Sequence, residues 1–541
     1  MSEQKNVIVI MLDSLQFNYV GAYGNDWIKT PNLDRFAKEG VLFENAYTEG
    51  LPTVPCRRAM HTGRYTLPYA GWVALSKEDT TIADLCWGRP IDTALIHDNP
   101  QYRLPKFGYT RGFDKTWFLH GHESDHHFYE KDELIHLSVD QFHEDEAIRK
   151  FEKKNSKAEV DALLHETECY LKHRQYWKHE EDQNVAHVMK EAVSYLEKID
   201  RNKSFFLWVD SFDPHEPWDP PSVYDPDLPC PYDPDYKGKD QFLPIIADVN
   251  DIYTEAEMHH IRMLYAEKVT MCDRWVGHLL DNVRRLGLED DTLVMIVSDH
   301  GEPMGNGEHG HGIMRKCRPW PYEELVHVPY LMRGPGLPKG KRETSYVQSC
   351  DIAPTVTDWL GIGVHPEMQG KSLVPLMRGE VDKVRDFAIA GYHKYSWSII
   401  TDDYSYIHWV KKDNDMNVLE TMDGMYGEQN EFVDHLDPDV LRAAGIDYDG
   451  LNASRSGEDG EEDDKGFKNE ALEKHRKEAT LDGEDQWTCT PGSVAEVPET
   501  DELYCRKTDP FQLNNIIDKE PELAKKMFED LRLFMTELRA S

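Results

Sequence analysis

Two parts of the chain hold residue types that could cleave an ester. The stretch TVPCRRAMHTGRY contains two candidate nucleophiles, the hydroxyl of Thr53 and the thiol of Cys56. Far from it in sequence, Asp13, Asp299 and His300 each follow an apolar run. Two carboxylates, an imidazole and the Thr53 oxygen form a suitable ligand set for a divalent cation. Because metal coordination activates a hydroxyl near neutral pH, the set predicts a metal-dependent hydrolase. The alternative reading is that the two aspartates only cap helices.

Three apolar runs must position these residues. They are NVIVIMLDS (Asn6 to Ser14), SFFLWVDSF (Ser204 to Phe212) and TLVMIVSDHG (Thr292 to Gly301). Such runs, rich in β-branched residues, are typical of strands buried on both faces of a parallel sheet. Helical periodicity over 184–199 and 264–287 lies between them. The alternation predicts an α/β fold with a mostly parallel central sheet flanked by helices. Ligands of such sheets bind beyond the carboxyl ends of the strands, where the polar residues fall.

The length of 541 residues predicts more than one structural unit. We expect a catalytic α/β domain over 1–380, with a charged helical insertion over about 145–177. A smaller C-terminal α+β domain is expected over 381–541. It contains a polar, acidic insertion over about 413–499.

Composition restricts the partners and the compartment. A formal net charge of -39 argues against nucleic acid as a partner, although a bound cation can still hold a small anionic substrate. Nine cysteines, an odd number without a CxxC pair, favour reduced thiols in a cytoplasmic protein. We expect no membrane partner, because no apolar stretch is long enough to span a bilayer and the first apolar run lacks the flanks of a signal peptide. The sequence leaves open whether the protein forms a homo-oligomer.

Several motifs together resemble the sulfatase family of the alkaline phosphatase superfamily. They are VIVIMLDSL with GAYG and TPNLDRFAKEGVLFENAYT after it, SDHGEPMGNGEHGHG, DIAPTVTDWLGI, and DELYCRKTDPFQLNNI near the C-terminus. The resemblance covers most of the chain, with gaps at the insertions. It implies an alkaline-phosphatase or sulfatase-like fold with a smaller C-terminal domain.

The resemblance implies which of the two nucleophiles is used. The family motif reads Cys-x-Pro-Ser-Arg, with Thr-Gly-Arg nine residues after the Cys. Here Thr-Gly-Arg occupies 62–64, so Thr53 takes the place of the nucleophile and Arg57 that of the motif arginine. Cys56 falls at the Ser position and has no implied chemical role. Sulfatases proper convert the Cys to formylglycine, which a threonine cannot become, so no formylglycine is expected.

The threonine also bears on the ester that is cleaved. A sulfated Thr53 would lack the release route of formylglycine, which expels sulfate by collapsing to the aldehyde. A phosphorylated Thr53 can be hydrolysed by an in-line water. The resemblance therefore favours hydrolysis of a small phosphodiester or phosphonate monoester through a covalent Thr intermediate. Two alternatives are a sulfuric ester hydrolase of arylsulfatase type and a catalytically silent binding protein that keeps the fold.

The expected metal site departs from the family pattern in two places. The paired aspartates after the first strand are Asp13 and Ser14 here, and the Asp-Asn pair is Asp299 and His300. An imidazole in place of a hard oxygen ligand favours Mn²⁺ or Zn²⁺, with Ca²⁺ still open. The resemblance implies one divalent metal held by Asp13, Thr53, Asp299 and His300. A second metal is left open.

Three further residues take catalytic roles from the resemblance. His215 in DPHEPW matches the family histidine that protonates the leaving group. Lys316 matches the lysine that contacts the transferred group. Arg57 would orient Thr53 or clamp the non-bridging oxygens of the substrate.

Substrate contacts are expected from three other positions. Asp98 lies roughly where sulfatases place a sulfate-binding lysine, and it would repel a bare anion unless it binds a second metal or a cationic part of the substrate. His309 and His311 are candidates for binding metal or phosphate, or could be solvent-exposed in their Gly-rich loop. The His-rich stretch over 117–127 could supply substrate contacts or bind metal adventitiously.

Overall fold

The computed structural model describes residues 5–103, 107–122, 125, 131–154, 157–305, 310–316, 318–411 and 497–540. The strands of these residues are, in chain order, β1 (Asn6–Leu12), β2 (Val41–Phe43), β3 (Ala46–Tyr47), β4 (Ile91–His97), β5 (Lys115–Phe118), β6 (Ser204–Ser211), β7 (Ala247–Asp248), β8 (Thr292–Val297), β9 (Met304–Gly305), β10 (Ile313–Met314), β11 (Tyr330–Arg333), β12 (Lys341–Glu343), β13 (Val347–Gln348), β14 (Ala388–Tyr392), β15 (Ser396–Ile400), β16 (Tyr404–Trp409) and β17 (Glu502–Cys505).

An eight-stranded sheet in the order β12-β2-β11-β8-β1-β6-β4-β5 forms the centre of the protein. Neighbours from β8 to β5 are all parallel, whereas β11 runs antiparallel to both β8 and β2. Strands β1 and β8 are buried along their whole length, as their apolar, β-branched sequences predict. The predicted α/β fold with a mostly parallel sheet is confirmed.

Helices cover both faces of this sheet. The α-helices are α1 (Pro31–Glu39), α2 (Thr53–Thr62), α3 (Ile82–Cys86), α4 (Pro100–Arg103), α5 (Asp145–Lys154), α6 (Lys157–Arg174), α7 (Asn184–Leu196), α8 (Glu255–Arg285), α9 (Glu323–Val326), α10 (Ile352–Trp359), α11 (Val374–Met377) and α12 (Pro521–Ala540). Short 3-10 helices span Phe17–Tyr19, Gly21–Tyr23, Val139–Gln141, Glu180–Asp182, Pro221–Val223 and Ser349–Asp351. In the described ranges, no helix combines the length and apolar character needed to cross a bilayer.

The predicted helices are present, one of them longer than its sequence pattern indicated. The helix expected over 184–199 is α7, whereas the pattern over 264–287 is only the second part of α8. Helix α8 begins earlier because Thr254 accepts from the backbone N–H of Glu257 in a capping box. Helices α5 and α6 occupy the predicted helical insertion, and Phe151 packs there into the main core.

The C-terminal part adds an antiparallel sheet in the order β14-β15-β16-β17. Strand β17 joins it across the predicted acidic insertion, which lies outside the described residues except for 497–499. Helix α12 packs on this sheet through Leu531 and Met535. The two parts of the chain are tied together where Leu51 N donates to Gly391 O at 2.9 Å. The domain boundary near residue 380 stays a prediction.

Candidate active site and metal centre

Asp13, Asp299 and His300 meet at the carboxyl edge of the central sheet. Strands β1 and β8 are parallel neighbours with Met11 opposite Val297, so the residues that follow both strands leave the sheet side by side. One ligand atom from each of the three side chains lies within 4.8 Å of the other two. All three residues are completely buried. The sequence therefore identified three side chains that the fold brings into one cluster.

The turns after the two strands hold the carboxylates in fixed orientations. Ser14, with a φ of 60°, donates its N–H to Asp299 Oδ1 at 3.1 Å and its hydroxyl to Asp13 Oδ1 at 2.9 Å. A positive φ is uncommon in a residue with a side chain. Gly301 lies so close to Glu324 O that a Cβ would come within 2.1 Å of it. Ser14 thus fills the second aspartate position of the family pattern as a hydrogen-bond donor.

Thr53 faces the cluster as the first residue of α2. Its Oγ1 lies 3.3 Å from His300 Nε2, and the residue is 2% exposed. The first backbone N–H groups of a helix have no partner inside the helix, and the helix dipole is positive at this end. An anion or a developing alkoxide at Thr53 is therefore stabilised by the position of the residue.

Cys56 lies one turn further along α2 and points to a different partner. Its thiol accepts from Thr48 Oγ1 at 3.0 Å and donates to Asp299 O at 2.9 Å. Burial raises the pKa of the Cys56 thiol well above its ordinary value. The thiol is therefore a neutral, packed group at neutral pH.

Arg57 offsets part of the negative charge of the cluster. Its Nη2 lies 2.9 Å from Asp13 Oδ2 and 2.8 Å from Asp210 Oδ1, its Nε donates to Asp210 Oδ2 at 3.1 Å, and its Nη1 contacts Asp299 Oδ2. All four side chains are fully buried. These contacts orient the carboxylates; whether Arg57 also clamps substrate oxygens stays a prediction. Sequence reasoning missed Asp210, although it ends one of the three apolar runs.

The charges of the cluster are strongly coupled. Burial raises the pKa of Asp13 well above its ordinary value, and the charge of Asp299 adds to the shift. Burial would raise the pKa of Asp299 as well, but His300 and Arg57 lower it to about 2. Burial also lowers the pKa of His300 and so keeps its imidazole neutral. A neutral imidazole beside the ionised carboxylate of Asp299 is suited to bind a metal ion, and a bound cation would favour ionised Asp13 as well.

His215 and Lys316 form a pair at the edge of this site. Lys316 Nζ contacts His215 Nε2 and lies 3.3 Å from Glu216 Oε1 and 4.0 Å from Glu302 Oε2. His215 Nδ1 lies 2.7 Å from Glu216 O, so the Nδ1–H donates to that carbonyl and Nε2 accepts from Lys316. In this arrangement the lysine, rather than the imidazole, is the hydrogen-bond donor of the pair.

The ionisation of the pair follows from burial and charge. Burial would lower the pKa of Lys316, but the carboxylates of Glu216, Glu302 and Asp13 outweigh it and raise the pKa. Burial lowers the pKa of His215 well below its ordinary value, and the positive charge of Lys316 contributes. The pair therefore holds its proton on Lys316.

Glu302 and Glu216 are site residues that sequence reasoning missed. Burial raises the pKa of Glu302 to about 8, and neither carboxyl oxygen of Glu302 has a hydrogen-bond partner among the described residues. Glu216 binds Arg315 and Lys316. Both glutamates directly adjoin the singled-out motifs, Glu302 after Asp-His-Gly and Glu216 inside DPHEPW. Their proximity to the motifs was the available signal.

Among the described residues, none of the three predicted substrate contacts belongs to the group of Asp13, Asp299 and His300. Asp98 is completely buried and accepts from Phe212 N at 2.6 Å. His311 stacks on Tyr322, and its Nε2 lies 2.9 Å from Phe511 O. His309 falls outside the described residues. The substrate roles of Asp98, His309 and His311 stay predictions.

The described residues fit a divalent cation. Asp13 Oδ2 is buried and receives no directed hydrogen bond, although Arg57 Nη2 lies nearby, and His300 supplies a neutral nitrogen. Two carboxylates and an imidazole whose ligand atoms lie within 4.8 Å match the donor sets of Mn²⁺ and Zn²⁺ sites. Thr53 Oγ1, 3.3 Å from His300 Nε2, is close enough to complete the set.

Comparison with known protein families assigns the chain. A model of the sulfatase family matches residues 5–362, and a model described as N-sulphoglucosamine sulphohydrolase, C-terminal, matches residues 307–436. The chain belongs to the sulfatase family. As a member it is an ester hydrolase of a metal-dependent family, as the resemblance predicted.

Individual relatives include two kinds of ester hydrolase. An arylsulfatase of Clostridium perfringens is 28% identical over 434 residues, which cover 75% of this chain and 84% of that protein. The multifunctional alkaline phosphatase superfamily protein PehA of Trinickia caryophylli is 25% identical over 420 residues, covering 69% of this chain and 77% of that one. A phosphonate monoester hydrolase of Agrobacterium radiobacter superimposes with a TM-score of 0.62 at 18% identity, covering 99% of this chain and 96% of that structure. This last likeness confirms the predicted sulfatase-like fold.

Proposed function

We propose that this sulfatase-family protein hydrolyses phosphodiesters or phosphonate monoesters with Thr53 as the nucleophile. One observation carries the proposal. Thr53 Oγ1 faces His300 at 3.3 Å from the first turn of α2, whereas the thiol of Cys56 is directed to Asp299 O. These contacts support the hydroxyl rather than the thiol as the nucleophile, and an unmodified hydroxyl suits phosphoryl transfer better than sulfate release.

Asp13, Asp299 and His300 would hold one divalent cation together with Thr53, for which we propose Mn²⁺ or Zn²⁺. When bound, this cation lowers the pKa of the hydroxyl and offsets negative charge on the transferred group. Arg57 keeps the carboxylates Asp13 and Asp299 in place. The N–H groups at the start of α2 stabilise negative charge at Thr53.

In the proposed reaction Thr53 loses its proton to water and its Oγ1 forms a bond to phosphorus. The bond from phosphorus to the leaving oxygen breaks in line with this attack. Lys316, which carries the proton of the pair with His215, protonates the departing oxygen. A water molecule then attacks the phosphorus as the bond from phosphorus to Oγ1 breaks. One proton of the water returns Lys316 to its charged form, Oγ1 takes a proton from solvent, and the phosphate monoester or phosphonate leaves.

The second candidate is hydrolysis of sulfuric esters. The 28% identical arylsulfatase favours it. Its weakness is chemical, because a sulfated threonine cannot collapse to an aldehyde and would have to be hydrolysed at sulfur.

A substrate panel tests the proposal. Purified protein with added Mn²⁺ or Zn²⁺ is assayed with aryl phosphodiesters, aryl phosphonate monoesters and the matched aryl sulfate, which share one leaving group. We expect kcat/KM for a phosphorus ester to exceed that for the sulfate. A preference for the sulfate would overturn the assignment of the substrate class. If wild-type protein binds metal but turns over no ester of the panel, the result would instead support a catalytically silent binding protein.

The cysteines support a reducing compartment. The described cysteines are free, and six of these seven are buried. We propose a cytoplasmic location, which fractionation of the producing cells would test.

A further inference from the structure

A second buried group of potential metal ligands lies beside the site. Asp98, His122 and Asp213 are each completely buried, and one ligand atom of each lies within 4.8 Å of the others. They follow the neighbouring parallel strands β4, β5 and β6, whose carboxyl ends bring the three residues together. His122 Nε2 lies 3.4 Å from Asp98 Oδ2 and 3.6 Å from Asp213 Oδ1. This group, the β4–β6 cluster, shares no residue with the group around Asp13.

Each carboxylate of the β4–β6 cluster is anchored by one oxygen. Phe212 N donates to Asp98 Oδ1 at 2.6 Å, and Val185 N donates to Asp213 Oδ2 at 3.0 Å. The other oxygens, Asp98 Oδ2 and Asp213 Oδ1, are the ones that face His122. This is the arrangement of metal-binding carboxylates, whose second oxygen is commonly held by a hydrogen bond.

The atoms that face one another lack hydrogen bonds. Among the described residues, Asp98 Oδ2 and both ring nitrogens of His122 have no hydrogen-bond partner. A buried polar atom without a partner costs about 1–3 kcal/mol, so Asp98 Oδ2 and His122 Nε2, which face each other, indicate a missing group between them. The distances of 3.4 and 3.6 Å are long for direct hydrogen bonds and leave room between the side chains.

The surrounding charges indicate that the missing group is positive. Lys268 Nζ lies 2.9 Å from Asp213 Oδ1 and also contacts Asp219, which in turn binds Arg174. Asp98, Asp213 and Asp219 thus face two cationic side chains, which leaves one buried negative charge without a counterpart. Among the described residues, neither Lys268 nor Arg174 pairs with Asp98, whose Oδ2 faces His122. A proton shared by Asp98 and His122 would cancel the same charge, and metal analysis distinguishes this proton from a bound ion.

We propose that Asp98, His122 and Asp213 bind a second divalent cation of the Zn²⁺ or Mn²⁺ type, with a structural role. One imidazole nitrogen and two carboxylate oxygens match the ligands of such ions. The ring of Phe212 packs against His215 with centroids 4.0 Å apart and against His122 with centroids 5.2 Å apart. The ion would therefore join the segments after three strands and fix the loop that carries His215. The proposal is independent of which ester is hydrolysed.

Metal analysis of the full-length protein tests the proposal. The protein is stripped with a chelator, loaded with Zn²⁺, freed of excess ion by gel filtration and analysed for bound zinc. We expect about two equivalents in wild type and about one in each of Asp98→Asn, His122→Gln and Asp13→Asn. His143→Gln, which changes a buried histidine bonded to Thr167, is the matched control and should retain two equivalents.

Two results would overturn the proposal. The first is wild type with one equivalent that Asp13→Asn removes. The second is Asp98→Asn or His122→Gln with the wild-type content, which would mean that a proton occupies the β4–β6 cluster.

If the substitutions at Asp98 and His122 prevent folding, the Asp13→Asn variant alone tests whether the β4–β6 cluster binds an ion. This variant leaves the β4–β6 cluster intact, so we expect it to bind one Co²⁺ and show visible d–d absorption. Folded Asp13→Asn without bound Co²⁺ would contradict the proposal.

Discussion

Replacing Arg57 by lysine should destabilise the protein in a metal-dependent manner. The guanidinium makes four charged contacts, one to Asp299, one to Asp13 and two to Asp210. A lysine presents one nitrogen where arginine presents three, so we expect at least two of the four contacts to be lost. A buried hydrogen bond to a charged group contributes about 1.5–3 kcal/mol, which predicts a loss of about 3–6 kcal/mol without metal.

The loss should be smaller when the metal site is filled. A divalent cation among Asp13, Asp299 and His300 would offset the carboxylate charge that Arg57→Lys leaves poorly compensated. The urea unfolding midpoints of wild type and Arg57→Lys are measured with chelator and with saturating Mn²⁺. These four values show how much the metal reduces the effect of the substitution on stability. Circular dichroism follows the unfolding.

The neighbouring Arg58→Lys provides the control. Arg58 pairs with Asp79 at 2.6 Å, and Asp79 is not one of the carboxylates of the cluster. The decrease in the free energy of unfolding caused by Arg58→Lys should therefore be the same with chelator and with Mn²⁺. The reasoning about the cluster would be refuted if Arg57→Lys unfolded at the wild-type midpoint in chelator. It would also be refuted if Mn²⁺ changed the effects of both substitutions equally.

Three further outcomes are expected. Cys56→Ser should keep kcat/KM within about threefold of wild type, because a hydroxyl can replace the thiol as donor to Asp299 O; a loss of activity as large as that of Thr53→Ala would contradict this. Lys316→Met should slow the hydrolysis of esters of alkyl alcohols by about 10²–10⁴-fold and that of nitrophenyl esters much less, because only poor leaving groups need a proton from Lys316. Equal losses of activity for both kinds of ester would contradict the role of Lys316 as the acid. Burial raises the pKa of Glu267 to about 7, so the folded state holds this proton more tightly than the unfolded state does. Stability is then lost as pH rises from about 4.5 to 7, by up to about 3 kcal/mol, and Glu267→Gln should flatten this part of the stability profile in urea unfolding.

Residues that follow apolar runs were the most predictable part of the site. Asp13, Asp299 and His300 could be placed together because two runs with the character of buried parallel strands both end in ligand residues. The order of strands was not predictable, and for that reason Asp210 was missed. Its partner Arg57 is 153 residues away, and the two meet only because β6 lies beside β1.

The hydrogen-bonding state of single side chains was also beyond sequence reasoning. Lys316 and His215 were both identified, but the structure shows them in direct contact, with the imidazole nitrogen accepting from the ammonium. The proton of the pair therefore resides on the lysine, and the catalytic role of His215 stays a prediction. Burial decides this ionisation, and burial of a loop residue such as His215 follows from tertiary packing.

The central claim is that the hydroxyl of Thr53 attacks phosphorus and carries the transferred group. Its most direct measurement is peptide mapping by mass spectrometry of metal-loaded enzyme that is acid-quenched during turnover of an aryl phosphonate monoester. We predict a phosphonylated peptide with the modification on Thr53, absent from Thr53→Ala. An enzyme that turns over the ester while the modification lies on Cys56, or on no residue at all, would contradict the account.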